Sequence, residues 1–206
     1  MNCAGLYADK IAHQFDVGRQ YRVLPFLGRF YRLRPESQVQ VRGNIYPVSD
    51  LRNPFLGKHF TRWPEGEVTV GPSALPLLVR EQYRGLVGTN ASDGMAMITY
   101  FLRLSGRNRD HFGSIALREL AKISSSGFYR EAEGLTVGFE PGDLLPGKEL
   151  GIRAQLVDTR KVELLSDFVI GPRHRSTHVL NAVSSTFTPS VPFADHVLSL
   201  MKAERT

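Results

Sequence analysis

Cysteine is almost missing from this chain: Cys3 is the single thiol among 206 residues. That excludes an internal disulfide framework and any zinc site built from several thiolates. Long apolar runs are lacking as well, and none approaches the roughly 18 residues that a membrane-spanning helix needs. The first residues have neither the charged start nor the apolar middle of a secretory signal. The expected setting is therefore a soluble protein of a reducing, cytoplasmic compartment. Basic runs of the kind that mark a nucleic-acid tail are absent too, although the net charge is +6 and the pI about 9.7, carried mainly by arginine. Scattered single charges do not make a nucleic-acid tail, so nucleic acid is not an expected partner. An anionic substrate or cofactor, or an anionic membrane surface, remains compatible with that charge. No His, Asp and Glu grouping has metal-ligand spacing, and no Gly-x-Ser-x-Gly elbow supports hydrolase chemistry. Internal repeats and low-complexity tracts are also missing.

What is present is ordinary globular material. Hydrophobic residues make up 42% and charged residues 22%, enough for one substantial core with a smaller second lobe. Residues Met1 to Asp9 read as the tail of a strand, a turn at Gly5, and the entry to a helix through Ile11 and Phe15. A glycine there lets the backbone approach a ligand, and the helix start favours negative charge. A strand with nothing before it suggests a chain whose natural beginning lies upstream. Tyr21 to Leu33 alternates into a long strand interrupted by Pro25 and Gly28. Met95, Ile98, Phe101 and Leu102 share one face of a helix capped near Ser92 or Asp93. A second helix is expected over 114–123, ended by the Ser124-Ser125-Ser126-Gly127 stretch. Residues 134–147, rich in Gly and Pro, read as loop. Strands are expected at 152–157, 167–170 and 177–181, then a terminal helix ending near Met201.

The chemistry concentrates between residues 42 and 72, where short strands are separated by Gly and Pro. Tyr46, His59, Thr61 and Arg62 place a phenol, an imidazole, a hydroxyl and a guanidinium on neighbouring segments. Side chains alternate along a strand, so His59 and Thr61 should project to one side. Such a face suits either the polar wall of an anion cavity or the solvated side of a sheet.

Read in order, Asn2-Cys3-Ala4-Gly5-Leu6, Leu24-Pro25-Phe26, Gly43-Asn44-Ile45-Tyr46-Pro47-Val48, Pro54-Phe55-Leu56-Gly57, His59-Phe60-Thr61, Gly71-Pro72, Arg80-Glu81 with Tyr83-Arg84, Gly151-Ile152-Arg153-Ala154-Gln155, Asp167-Phe168 and His178-Val179-Leu180-Asn181-Ala182 carry a family resemblance. The chain resembles the C-terminal portion of an L-2-hydroxyglutarate dehydrogenase or oxidase, in the D-amino-acid-oxidase superfamily of FAD enzymes. The resemblance implies an α+β fold: a mixed, largely antiparallel sheet of a substrate domain over 19–149, with pieces of a Rossmann-type FAD domain at 1–18 and 150–206. The Gly-x-Gly-x-x-Gly fingerprint that would hold the FAD pyrophosphate does not occur here, so the dinucleotide-binding half is expected upstream, either in a longer chain of which this is a fragment or as an N-terminal partner.

The resemblance also implies roles. His59 would be the base that takes the hydroxyl proton or the group that orients the alcohol. Arg153 would hold a substrate carboxylate, since guanidinium and carboxylate match as forks. Tyr46 and Thr61 would orient the same small anionic 2-hydroxy acid. Gly5, Gly151, Ile152, His178, Asn181, Ala182, Ser184 and Thr188 would lie along the FAD. The family commonly has Ser-Pro and small residues where this chain has Ser184-Ser185-Thr186-Phe187. The implied reaction is FAD-dependent oxidation of L-2-hydroxyglutarate to 2-oxoglutarate, with quinone and oxygen both compatible as acceptor and membrane contact only peripheral if quinone is used. The alternative is a truncated, inactive remnant that serves as a binding or subunit-interaction module.

Overall fold

The computed structural model describes residues 1–48, 57–81, 91–107, 125–173, 175–182 and 187–203. Helices accompany a largely antiparallel sheet, an α+β fold. The chain divides into two compact units, one of Met1–Pro25 with Ala154–Thr206 and one of Phe26–Arg153.

In the first unit, Asn2 forms a single parallel bridge to His178, donating from its backbone N–H to the Thr177 carbonyl at 2.8 Å and accepting from Val179 N–H at 2.9 Å. A 3-10 turn at Gly5–Tyr7 leads into α1, Ala8–Gln14. Ala8 and Ala12, four residues apart and on one face, pack with Val17, Val23, Leu156 and Leu180 into the core of this unit. The buried Asp9 carboxylate accepts the Val23 N–H at 3.0 Å and so ties α1 to the start of β1, Tyr21–Leu33.

In the second unit the later part of β1 pairs antiparallel with β3, Val68–Gly71, and β3 pairs with β2, His59–Arg62. A short β4, Leu75–Pro76, pairs with β1 through Phe26 and Leu27, after a cis peptide at Gly71–Pro72. Helix α2 spans Ala91–Arg107, and its Phe101 meets Phe26 edge-on with ring centroids 5.7 Å apart. The core gathers Tyr31, Phe60, Val68, Val70, Phe128, Ala132 and Phe139.

Helix α3, Ser125–Ala132, begins inside the serine and glycine stretch that was expected to end a helix. Phe128 and Ala132, spaced four apart and fully buried, carry it into the core, so tertiary burial overrides weak local propensity. The helix expected at 114–123 lies outside the described residues. The segment expected as loop at 134–147 holds 3-10 turns at Glu133–Leu135 and Pro141–Asp143 and the first residues of β5. β5 runs continuously over Leu144–Asp158, longer than the strand expected at 152–157.

Back in the first unit, the end of β5 pairs with β6, Glu163–Leu164. β7, Val169–Arg173, and β8, Ser176–Asn181, form an antiparallel hairpin. Helix α4, Ser190–Ala203, closes the chain. No helix among the described residues is long and apolar enough to cross a membrane.

A polar wall on one side of the antiparallel sheet

Alternation along β2 decides which residues see the core. Phe60 is fully buried among Tyr31, Val70 and Phe139, so His59 and Thr61 project to the opposite side. On β3 the residue directly across from His59 is Gly71, and the one across from Thr61 is Thr69. A side chain at 71 would not fit, because its Cβ would stand 2.6 Å from the Phe30 ring and 3.1 Å from the Arg29 carbonyl. Phe30 therefore occupies that space, on the side of β1 opposite to Tyr31.

His59 is buried, with its Nδ1 3.1 Å from the Gly57 carbonyl oxygen. A carbonyl only accepts, so this bond places the imidazole proton on Nδ1 and leaves Nε2 with a lone pair. The Tyr46 ring stacks on the imidazole with centroids 4.6 Å apart at 27°. What brings Tyr46 there is the backbone bridge between Ile45 and Phe60, whose N–H and carbonyl groups exchange hydrogen bonds of 2.9 Å. Tyr46 is itself more than half exposed. Thr61 is half-buried beside it, and Trp63 Nε1 donates to Thr69 Oγ1 at 3.1 Å.

On β5 the same alternation applies. Ile152 packs against Leu27, Leu75 and Leu77, which turns Gly151 and Arg153 to the other side, the one that Gly28 and Phe30 share on β1. The Gly151 carbonyl lies 3.5 Å from the place a Gly28 Cβ would take, while none of the described residues lies within 4 Å of a Cβ at Gly151. Among the described residues, nothing crowds the Gly151 backbone. Burial pushes the half-buried Arg153 guanidinium below its ordinary value, because desolvation disfavours the charged form.

The remaining predicted positions are in the first unit. Gly5 takes a positive φ of 53°, a conformation suited to glycine, and none of the described residues lies within 4 Å of a Cβ there. His178 is buried. Asn2 fixes its tautomer: Asn2 Oδ1 accepts the Ala4 N–H at 3.1 Å and Nδ2 donates to the Ala8 carbonyl at 2.9 Å. Those two bonds turn Nδ2 towards His178 Nδ1, 3.1 Å away, which must then accept. The proton is left on Nε2, which donates to Ser176 Oγ at 3.0 Å. Asn181 Nδ2 donates to the Leu165 and Asp167 carbonyls. The His178 and Asn181 side chains are thus engaged with the protein itself. Ala182 and Thr188 are exposed, and Ser184 lies outside the described residues.

Sequence reasoning passed over Asn2 as the partner of His178, and Gly71 as the space beside His59. It also passed over the buried Lys58, whose Nζ is 2.7 Å from Glu131 Oε2 and 4.8 Å above the Phe128 ring. Gly71-Pro72 and the alternation of Lys58 with His59 were the available signals.

An imidazole with one fixed tautomer, a phenol stacked on it and a desolvated guanidinium stand on one side of a largely antiparallel sheet and give this α+β protein a polar wall. No family model matches the chain. Curated relatives do. The chain is 33% identical to the L-2-hydroxyglutarate dehydrogenase of Salmonella houtenae, an alignment covering 100% of this chain and 48% of that protein. It is 33% identical to the L-2-hydroxyglutarate dehydrogenase of Escherichia coli strain K12, over 97% of this chain and 46% of that one. With the mitochondrial L-2-hydroxyglutarate dehydrogenase of Homo sapiens it shares 34% identity over 93% of this chain and 42% of the relative. The chain is thus similar along its length to a C-terminal portion of L-2-hydroxyglutarate dehydrogenases. It spans about half the length of the curated relatives it matches.

Proposed function

We propose that this chain forms the substrate-handling part of an FAD-dependent enzyme that oxidises L-2-hydroxyglutarate to 2-oxoglutarate. The observation that carries the reading is the His59 tautomer on a wall shared with Arg153, in a chain related over its whole length to L-2-hydroxyglutarate dehydrogenases. An inactive remnant is the less favoured reading, because the polar wall carries an imidazole, a phenol and a guanidinium.

His59 Nε2, free to accept while Nδ1–H is held by Gly57, takes the proton from the C2 hydroxyl. Arg153 pairs with a substrate carboxylate; its desolvated surroundings strengthen that pairing relative to water. Tyr46 holds the imidazole plane and Thr61 offers a hydroxyl to the substrate. None of the described residues crowds the backbone at Gly151 or, in the first unit, at Gly5, and each glycine would let a flat cofactor pass close to the chain. FAD, when bound, would supply the hydride acceptor. Ile152 keeps the Gly151 backbone in place through the Leu27 cluster, while His178 and Asn181 fix the β8 backbone leading to Ala182, Ser184 and Thr188. An N-terminal half, of the kind the longer relatives have room for, would carry the pyrophosphate-binding turn.

Two measurements test this. Calorimetry of the purified chain with 2-oxoglutarate should show a saturable binding phase that R153Q weakens at least tenfold and R42Q does not; absence of any phase sensitive to R153Q overturns the reading. Reconstituted with FAD and the N-terminal half of a relative, the chain should bleach its flavin bands with L-2-hydroxyglutarate. H59Q should slow that bleaching about 10²–10⁴-fold, the range of general base catalysis, with little change in KM. Unchanged bleaching in H59Q refutes the role of His59.

A further inference from the structure

A cavity of about 670 Å³ opens in the Phe26–Arg153 unit and shares no residue with the His59 wall. It is built from the end of β1, the loop after it, the end of β2 and the start of β3. Along β2, Arg62 at the cavity is three residues from His59, about 10 Å at the rise of a strand.

The lining sets four guanidiniums, Arg32, Arg34, Arg42 and Arg62, against one carboxylate, Glu67. Glu67 is committed to Arg32, at 3.3 Å. Arg34 Nε donates to the Gly142 carbonyl at 3.2 Å and Arg62 Nη1 to the Val41 carbonyl at 2.8 Å. Those bonds to neutral carbonyls orient the two side chains and leave their charge uncompensated. Among the described residues Arg34, Arg42 and Arg62 have no carboxylate partner, and the buried Arg32 Nε has no acceptor. Like charges converging on a concave surface repel one another unless an anion joins them, and the concavity concentrates their field. A volume of this size lies within the range of small-molecule sites. Val41 and Val68 give it an apolar wall for a carbon skeleton.

We infer that this arginine cavity is a binding site for a multivalent organic anion, one bearing two or more carboxylate or phosphate charges on a small apolar body. Guanidinium forks match both groups in two-point geometry. The site is separate from the wall proposed for oxidation and does not depend on that reading.

The test is calorimetry of the full chain at physiological salt with citrate and with inorganic pyrophosphate, which separate carboxylate from phosphate preference. Saturable one-to-one binding of at least one probe is expected. R42Q and R32Q should each weaken it at least tenfold, while R103Q, an exposed charge on α2, and R153Q should leave it within twofold. Arg42 is exposed, so R42Q does not disturb the core, and circular dichroism confirms that both cavity variants fold. Absence of saturable binding of either probe overturns the inference. So does equal weakening by R103Q, which would reduce the effect to net charge, or loss in R153Q, which would place the anion at the substrate wall.

Discussion

The buried ion pair behind His59 should respond very differently according to which partner is removed. Lys58 has a side chain only 2% exposed, whereas that of Glu131 is 34% exposed. Replacing Glu131 by Gln takes the carboxylate from a buried ammonium, and breaking a buried pair in this way costs about 3–5 kcal/mol. Glu131 borders solvent, so water reaches the vacated place and the lower figure, about 3 kcal/mol, applies. Replacing Lys58 by Met removes the buried charge together with its desolvation cost, keeps the volume, and leaves a thioether over the Phe128 ring. Glu131 can then turn to water, so K58M should cost about 1 kcal/mol or less. Urea unfolding followed by far-ultraviolet circular dichroism measures both, with the m-value required to stay constant so that midpoints compare as free energies. The double variant K58M/E131Q should resemble K58M, since the amide that replaces the carboxylate then faces no charge. A K58M variant as unstable as E131Q, or more so, refutes the argument that the ammonium is the costly partner.

Other outcomes follow from the same geometry. G71A puts a methyl 2.6 Å from the Phe30 ring, and overpacking of this kind costs about 1–3 kcal/mol; a urea midpoint unchanged in G71A would show that the ring simply swings aside, and F30L/G71A should recover part of the loss. His178 is held below its ordinary 6.5, first by desolvation and then by the N-terminal ammonium. Protonation would also turn Nδ1 from acceptor to donor against Asn2 Nδ2. The unfolded chain therefore binds the proton more readily, so this contribution to stability is complete above the ordinary value and is lost as pH falls from it towards the lower folded value. Urea midpoints between pH 5 and 7 should fall with decreasing pH more steeply in the parent chain than in H178Q, and equal slopes would refute the assignment.

Several parts of the fold were legible because local pattern and burial agree. The alternation of Tyr21 to Leu33 marks β1 at its observed ends, and Thr177 to Asn181 marks β8 to within a residue. β5 was cut short because Pro146 and Gly147 read as breakers, yet the strand runs through them. The start of α3 was read backwards, since Phe128 and Ala132 act through the distant Tyr31 and Phe60. At the polar wall, the shared side of His59 and Thr61 follows from period two alone. The stacking of Tyr46 on His59 depends on the bridge that joins Ile45 to Phe60, and the Asn2–His178 pair on contact between two segments far apart in the chain. Neither leaves a periodic trace.

That period also raises the question of what pins the register, because a slip of one residue on β2 would send His59 into the core and Phe60 to the wall. Three contacts oppose it from different directions. Lys58, on the core side, reaches Glu131 of α3. Phe60 exchanges two backbone bonds with Ile45, which places Tyr46. Gly71 stands opposite His59, where another residue of β3 would strike Phe30. A slipped strand loses all three together, exposing Phe60 and burying an imidazole without its Gly57 acceptor. The same residues that stabilise the core therefore also aim the base, so a variant such as E131Q should lower the catalytic rate of a reconstituted enzyme as well as its stability. Loss of stability without any effect on rate would separate the two and show that the His59 geometry is held by Gly57 and Tyr46 alone.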